Sequence, residues 1–117
     1  MVDFALTEEV ERIRDMTRDF ARRQVRPSAT ILDRVPDPEV AYTSDTMRRV
    51  LADAYEIGFH KLNLPKEVGG LGAPEMSSII VQEELAAGDA GLASHFLVAP
   101  MIAGIAAGAR DRHPFYR

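Results

Sequence analysis

The sequence predicts an all-α protein, a bundle of about five helices. Apolar residues recur at three- and four-residue spacing along most of the chain, which is the periodicity of helices with one buried face. Glycine, proline and capping residues separate these periodic segments. No segment alternates polar and apolar residues over the length of a strand. Because the connections are short, an up-and-down or orthogonal bundle is expected.

Length and composition indicate one globular domain, or a piece of a longer chain. The chain has 117 residues, of which 46% are hydrophobic and 27% charged, and it contains no cysteine. Disulfides, thiolate metal sites and a thiol nucleophile are therefore excluded. The segment after Met1 contains Asp3, Thr7 and Glu8 and has neither a basic n-region nor a long apolar run, which predicts no secretory signal and a cytoplasmic location. A net charge of −4 argues against nucleic acid as a partner, because phosphates require a basic surface.

The first predicted helix runs from Leu6 to Arg26. Thr7 is a suitable N-cap, and the two glutamates that follow it suit the positive end of the helix dipole. Pro27 is expected to kink or end this helix, with a short helix or a continuation from Ser28 to Arg34. The apolar positions are spaced for one buried face and are Val10, Ile13, Met16, Phe20, Ala21 and Val25. The opposite face offers charge pairs at helical spacing, such as Glu8 with Arg12, Asp15 with Arg18 and Asp19 with Arg23.

The central segment contains a loop, a helix and a glycine-rich turn. Residues 36–38, Pro-Asp-Pro, are expected to form a loop. A helix is predicted from about Asp45, with Gly58 as the glycine that follows its C-terminus. Residues 65–72 contain too many glycines for a helix or strand and predict a compact surface turn. This turn lacks the spacing of known phosphate-binding loops.

Two helices complete the bundle. One opens after Pro74 and ends near Ala87, closed by Gly88, and Asp89 can cap the next. The last helix begins near Ala90, and residues 90–109 contain no Asp, Glu, Lys or Arg. Twenty such residues could span a membrane, but alanine and glycine dominate and Pro100 is expected to bend the helix. A helix buried in a core or interface is favoured, and no membrane span is predicted.

The titratable residues form no recognisable catalytic or metal site. His60, His95 and His113 are far apart in sequence and have no second ligand at metal spacing. Glu83 and Glu84 are adjacent on a helix, so their side chains point about 100° apart and do not converge. One structural and one solvated carboxylate are expected there. The residues by themselves therefore indicate a helical bundle without a catalytic centre.

Three segments in order resemble the N-terminal helical domain of acyl-CoA dehydrogenases. The resemblance covers about residues 3–108 and gains its specificity from the order and spacing of the motifs. In chain order these are FALTEE at 4–9 with RD at 14–15 and RDFA at 18–21, then GF at 58–59 with LPKEVGGLG at 64–72, and finally EELAAGDAGLA at 83–93. After residue 108 the sequence departs from the family pattern, so a fragment, a cleaved product or a divergent short protein are all open.

The resemblance implies a larger enzyme than this chain. Residues 1–117 correspond to one N-terminal-like domain, whereas family members add a middle β domain and a C-terminal helical domain. FAD is expected between those two domains, with a catalytic glutamate that removes the α-proton of an acyl-CoA. Electrons are expected to pass to electron transfer flavoprotein, in fatty acid metabolism. No catalytic residue is therefore expected in this chain, and it is not expected to retain FAD alone. Relatives with this domain include oxidases and monooxygenases, so the reaction stays open.

The same resemblance implies that the helix after the Glu-Glu-Leu motif forms one wall of the acyl-chain cavity. Counted from that motif, the wall positions fall at Leu97 and Met101, beside Phe96. Leu97 and Met101 lie four residues apart on one helical face, and an apolar wall suits an apolar chain. The alternative is that these residues belong to an ordinary core.

A second hypothesis is a stand-alone helical interaction module without flavin or catalysis. In that case the surface that family members bury against the β domain would be exposed. An apolar patch of that size is seldom left bare, so self-association, as a homo-oligomer, is expected.

Overall fold

The computed structural model describes residues 6–98 and residue 102 of the chain. Within these residues the protein is helical and contains no strand, which confirms the predicted all-α class. The helices are α1 (Glu8–Phe20), a π-helical segment (Ala21–Val25), α2 (Arg26–Asp33), α3 (Pro38–Tyr42), α4 (Asp45–Ile57), α5 (Glu75–Gly88) and α6 (residues 90–98). Two short 3₁₀ turns, Phe59–Lys61 and Lys66–Val68, lie between α4 and α5.

Helix α1 begins where its cap predicts. The Thr7 hydroxyl accepts a hydrogen bond from the Val10 backbone N–H at 3.3 Å, which satisfies one of the free donors of the first turn. The buried face differs from prediction at one position. Met16, expected inside, is 44% exposed, whereas Thr17 is fully buried. Thr17 tolerates burial because its hydroxyl donates to the Ile13 carbonyl at 2.7 Å.

The π-helical segment joins α1 to α2 without a break. The backbone stays in the right-handed helical region at Phe20, Val25 and Arg26, so the continuation after Pro27 is confirmed and the helix does not end there. Pro27, which cannot donate a backbone hydrogen bond, follows directly after the widened π-turn, in which the Arg26 N–H donates to the Ala21 carbonyl. A π-turn inserts one extra residue into a helix and changes the register of the residues that follow.

The predicted loop at residues 36–38 is wrong in its second half. Asp37 accepts a hydrogen bond from the Glu39 backbone N–H at 2.9 Å, and α3 begins at Pro38. Proline is favoured at the first helical position because its fixed φ suits the helix. The next helix confirms the prediction, since α4 starts at Asp45 and Gly58 follows it with a left-handed φ of 98°.

One hydrophobic core lies among α1, the π-helical segment, α2, α4, α5 and α6. At its centre the Phe20 ring packs against Phe59 and Phe96, with centroids 5.5 Å and 6.2 Å apart, in the tilted geometry that aromatic pairs prefer. Phe96 is only 3% exposed. The other buried members of this cluster are Ala21, Val25, Ala29, Met47, Val50, Ala54, Leu62, Val81, Leu85, Leu92 and Ala93.

The glycine-rich turn folds back onto the chain that precedes it. The backbone N–H groups of Leu71, Gly72 and Ala73 donate to carbonyls of residues 61, 64 and 62, each at 2.9 Å. Gly69 and Gly72 have positive φ, so the predicted compact turn is confirmed. Gly70 is needed for a different reason: a Cβ there would overlap the Leu64 carbonyl group.

Across the part of the chain that the structure describes, no helix combines the length and the apolar character needed to cross a bilayer. The predicted bend at Pro100 lies outside the described residues.

Two alanine substitutions in this turn separate backbone strain from steric overlap. Gly69→Ala meets no atom within 4 Å and should lower the free energy of unfolding by about 1 kcal/mol, the cost of a left-handed alanine. Gly70→Ala should cost more, because the Leu64 backbone must move. Urea unfolding of both variants measures the difference, and an equal or smaller loss for Gly70→Ala would contradict the close approach.

Candidate functional site

A cavity of about 590 Å³ lies between α5, α6 and residues 59–64. Its wall is mostly apolar, as in most small-molecule sites. Phe59, Leu62 and Leu64 belong to one side of it. Helix α5 contributes Ser78, Gln82 and Ala86, and α6 contributes Ala90, Ala93, Ser94, Leu97 and Val98.

The cavity exists because each helix presents a stripe of mainly small residues. Ser78, Gln82 and Ala86 are spaced by four along α5 and lie on one face of the helix. The cavity-lining residues of α6 follow the same three- and four-residue spacing. Alanine and serine side chains are too small to fill the space between the two helices, so a cavity remains beside the core.

Capping and side-chain hydrogen bonds position these elements. Asp89 alone separates α5 from α6, and its carboxylate accepts from the Leu92 backbone N–H at 2.8 Å. This confirms the predicted N-cap. On the other side of the cavity, the Asn63 amide donates to the Ala73 and Pro74 carbonyls at 3.2 and 3.1 Å. Residues 59–64 are thereby tied to the start of α5.

The three predicted wall residues have different positions. Leu97 lines the cavity, and its side chain is half-buried. Phe96 is not among the lining residues, because its ring is packed into the core against Phe20. Met101 lies outside the described residues. The role of these residues as an acyl-chain wall stays a prediction.

Polar lining residues were missed by sequence reasoning. Ser78 and Gln82 stand on α5, one turn apart, and Ser94 stands on α6. The four-residue spacing of Ser78, Gln82 and Ala86 is the signal that could have shown a common face. It was obscured because α5 carries apolar residues on several faces.

The histidines do not converge. His60 lines the cavity, and its ring meets the Tyr55 ring edge-on with centroids 4.8 Å apart. His95 instead packs near Tyr42, at 6.0 Å, beside a second cavity of about 390 Å³. His113 lies outside the described range. Among the described side chains no three His, Asp or Glu residues are grouped as metal ligands.

Glu84 is the structural carboxylate that the sequence predicts. It forms a bidentate ion pair with Arg18 of α1, with Nη2–Oε1 at 2.7 Å and Nε–Oε2 at 3.1 Å. Hydrogen bonding to Arg18 lowers the pKa of Glu84, and partial burial opposes this shift. The positive charges of Arg14 and Arg22 lower the pKa of Glu84 further. The same hydrogen bond raises the pKa of Arg18. Glu83 is exposed, so the two glutamates do not converge.

The chain belongs to the acyl-CoA dehydrogenase family, as its N-terminal domain. Residues 7–111 match the family described as acyl-CoA dehydrogenase, N-terminal domain. This match covers nearly the whole chain and confirms the resemblance seen in the motifs.

Individual relatives agree with this assignment. The chain is 30% identical to a 3-(aryl)acrylate reductase of Clostridium sporogenes, over 80% of this chain and 22% of that protein. It is 33% identical to subunit CarC of a caffeyl-CoA reductase–Etf complex of Acetobacterium woodii, over 80% of this chain and 23% of that subunit. It is 30% identical to a mitochondrial isobutyryl-CoA dehydrogenase of Dictyostelium discoideum, over 86% of this chain and 22% of that protein. The chain thus spans less than a quarter of the length of these relatives. No solved structure matches it.

Neither the cavity between α5 and α6 nor the glycine-rich turn fits the flavin that the family implies. The cavity between α5 and α6 has no Lys or Arg in its described wall, so nothing basic faces a diphosphate there. The glycine-rich turn does not form a phosphate-binding loop either. The Leu64 carbonyl occupies the space beside Gly70, and the aliphatic part of the Lys66 side chain occupies the space beside Gly72.

The ion pair of Arg18 with Glu84 predicts a loss of stability in acid. The pKa of Glu84 is lower in the folded protein than its ordinary value of 4.5. Its stabilising contribution is complete above that value and is lost as the pH falls through the lower, folded value. Glu84→Gln should unfold at lower urea near neutral pH and lose less stability on acidification than the parent. Glu83→Gln, the matched control, should keep the parent's acid dependence. Parallel acid dependences for Glu84→Gln and the parent would contradict the assignment.

Proposed function

We propose that this chain is the N-terminal domain of a flavin-dependent oxidoreductase that acts on acyl-CoA thioesters by α,β-dehydrogenation. In this proposal the cavity between α5 and α6 forms part of the acyl-chain site, and neighbouring surfaces contact the other domains. The supporting observation is that Leu97, chosen from the Glu-Glu-Leu motif, stands in the wall of this cavity.

The chain's own contribution is to bind and orient. An apolar chain gains about 0.8 kcal/mol for each methylene group that it buries, and Leu97, Val98 and Ala93 provide an apolar surface for it. No carboxylate lines the described cavity, and Glu84 is paired with Arg18, so the base that removes the α-proton is supplied by residues elsewhere. A flavin bound elsewhere in the complete enzyme would supply the redox chemistry.

The relatives support both directions of this chemistry. Their names include a dehydrogenase and reductases, which correspond to forming or saturating a carbon–carbon double bond. One is a subunit of a reductase–Etf complex, so electron transfer flavoprotein is the proposed electron partner here. A cytoplasmic location and a place in fatty acid metabolism belong to the same proposal.

The middle β domain and the C-terminal helical domain are proposed to complete the site, in the same polypeptide or in a partner. Met76 and Ile79 lie three residues apart on α5 and are 51% and 55% exposed. An exposed apolar face of a helix is typical of a contact surface. This surface suits such a domain or, in a homo-oligomer, a neighbouring subunit.

The same surface favours the second candidate, a stand-alone module that self-associates through α5. The intact mass of the native polypeptide, together with its flavin absorbance, separates the two. A mass several times 12.9 kDa with bound flavin supports the enzyme. A native mass of 12.9 kDa, with concentration-dependent association and no flavin in any complex, supports the module.

Substitutions of Leu97 test the acyl-chain site. In the native enzyme Leu97→Trp should shift the preference to shorter acyl chains, because the larger ring fills the cavity. Each methylene group that no longer fits should lower kcat/KM about fourfold. Leu97→Ala should shift the preference to longer chains. A series of straight-chain acyl-CoA substrates measures both shifts.

The control is Ile31→Trp, since Ile31 is exposed on α2 and does not line the cavity. It should leave the chain-length profile unchanged. The proposed wall would be wrong if Leu97→Trp left the profile unchanged as well.

A further inference from the structure

We infer that Gly88 is a positioning residue for the acyl-chain site, because its contact with the π-helical segment sets the width of the cavity between α5 and α6. This inference rests on the proposed function, since it assigns the residue that limits the bulk of the acyl group in the same cavity. Gly88 has no side chain to touch a substrate and acts through its neighbours Ala86 and Ala90.

The first step is the contact itself. Gly88 is the last residue of α5 and lies against both ends of the π-helical segment. A Cβ on Gly88 would stand 3.1 Å from the Ala21 Cβ, 3.2 Å from the Ala21 carbonyl oxygen and 3.2 Å from Cγ1 of Val25. The same Ala21 carbonyl accepts the Arg26 N–H, so the widened turn that receives Gly88 is held by its own hydrogen bond.

The second step links this contact to the cavity. Ala86 precedes Gly88 by two residues, Ala90 follows it by two, and both line the cavity. Between the helices, the Asp89 N–H donates back into α5 and the Asp89 carbonyl accepts from the Ala93 N–H, each at 3.0 Å. The end of α5 and the start of α6 are therefore joined as one unit, and a shift of Gly88 also moves Ala86 and Ala90.

The third step gives the direction of that shift. Two residues along an α-helix are about 200° apart, so Gly88 and Ala86 lie on nearly opposite faces of α5. An added methyl group on Gly88 would be closer to its neighbours than the 3.5–4.0 Å at which carbon atoms normally pack. Val25 is fully buried and Ala21 is 3% exposed, so α5 is the element that gives way. It moves towards its Ala86 side, and the cavity narrows.

The test uses the native, flavin-loaded polypeptide with Gly88→Ala. Straight-chain acyl-CoA substrates are compared with their methyl-branched isomers, with the branch at each position along the chain. Because a misplacement of 1 Å costs about a hundredfold, a shift of a few tenths of an ångström should raise the straight-to-branched ratio of kcat/KM about threefold to fivefold at one or more positions.

The kinetic signature separates positioning from a general defect. A narrower wall weakens the binding of substrate and transition state alike, so KM for the branched substrates should rise while kcat stays unchanged. Calorimetry with the matching unreactive thioethers should show the same change in Kd. This second readout does not depend on turnover.

A rescue variant and a control accompany Gly88→Ala. Adding Ala21→Gly removes the Cβ that the new methyl group meets and should return the ratio towards that of the parent. Ala21→Gly alone leaves more room for α5 and should lower the ratio below that of the parent. The control for lost stability is Ala52→Gly, an exposed position of α4 outside the cavity lining. Glycine weakens that helix, and the ratio should not change.

The outcomes separate this inference from the proposed function. If Gly88→Ala oxidises acyl-CoA with the ratio and the Kd series of the parent, the inference is overturned and the proposed function stands. A raised ratio that Ala21→Gly does not reduce, or that Ala52→Gly reproduces, also overturns it. If Gly88→Ala does not fold, Ala21→Gly alone decides, and an unchanged ratio there overturns the inference. A parent that neither binds nor oxidises any acyl-CoA overturns both.

Discussion

The position of helix α5 determines the rest of this domain, and two contacts with the N-terminal helix fix it. Arg18 and Glu84 form a bidentate ion pair across α1 and α5. Further along, a Cβ on Gly88 would lie only 3.1 Å from the Ala21 Cβ, so the absence of that atom lets α5 approach the π-helical segment closely. The two contacts together hold α5 along its C-terminal half.

This fixation matters because hydrophobicity alone does not set the rotation of α5. Val81 and Leu85 are fully buried, whereas Met76 and Ile79 are exposed on the same helix. A helix with apolar residues on several faces has no unique apolar stripe to orient it. The two-pronged geometry of arginine with carboxylate is directional. It therefore helps to select the rotation in which Ser78 and Gln82 border the cavity.

The sequence predicts local features well and long-range ones poorly. Thr7, Gly58 and Asp89 were predicted as helix caps and are confirmed, because a cap depends on residues within one turn. Arg18 was paired with Asp15 at helical spacing, yet its carboxylate partner is 66 residues away. The candidate site shows the same limit: the motif placed Phe96 beside Leu97, but only the packing of the core shows that the Phe96 ring turns towards Phe20 and away from the cavity.

The contact that orients α5 also makes Glu84 a poor candidate for a general base. A base for the α-proton of a thioester needs a carboxylate that can bind a proton near the working pH, whereas Arg18 lowers the pKa of Glu84 and holds it ionised. To free Glu84 would remove the ion pair between α5 and α1 and leave their packing to Val81, Leu85 and the rest of the core. In this domain Glu84 therefore stabilises the packing of two helices, and the proposed function assigns the proton-transfer group to residues outside the described cavity.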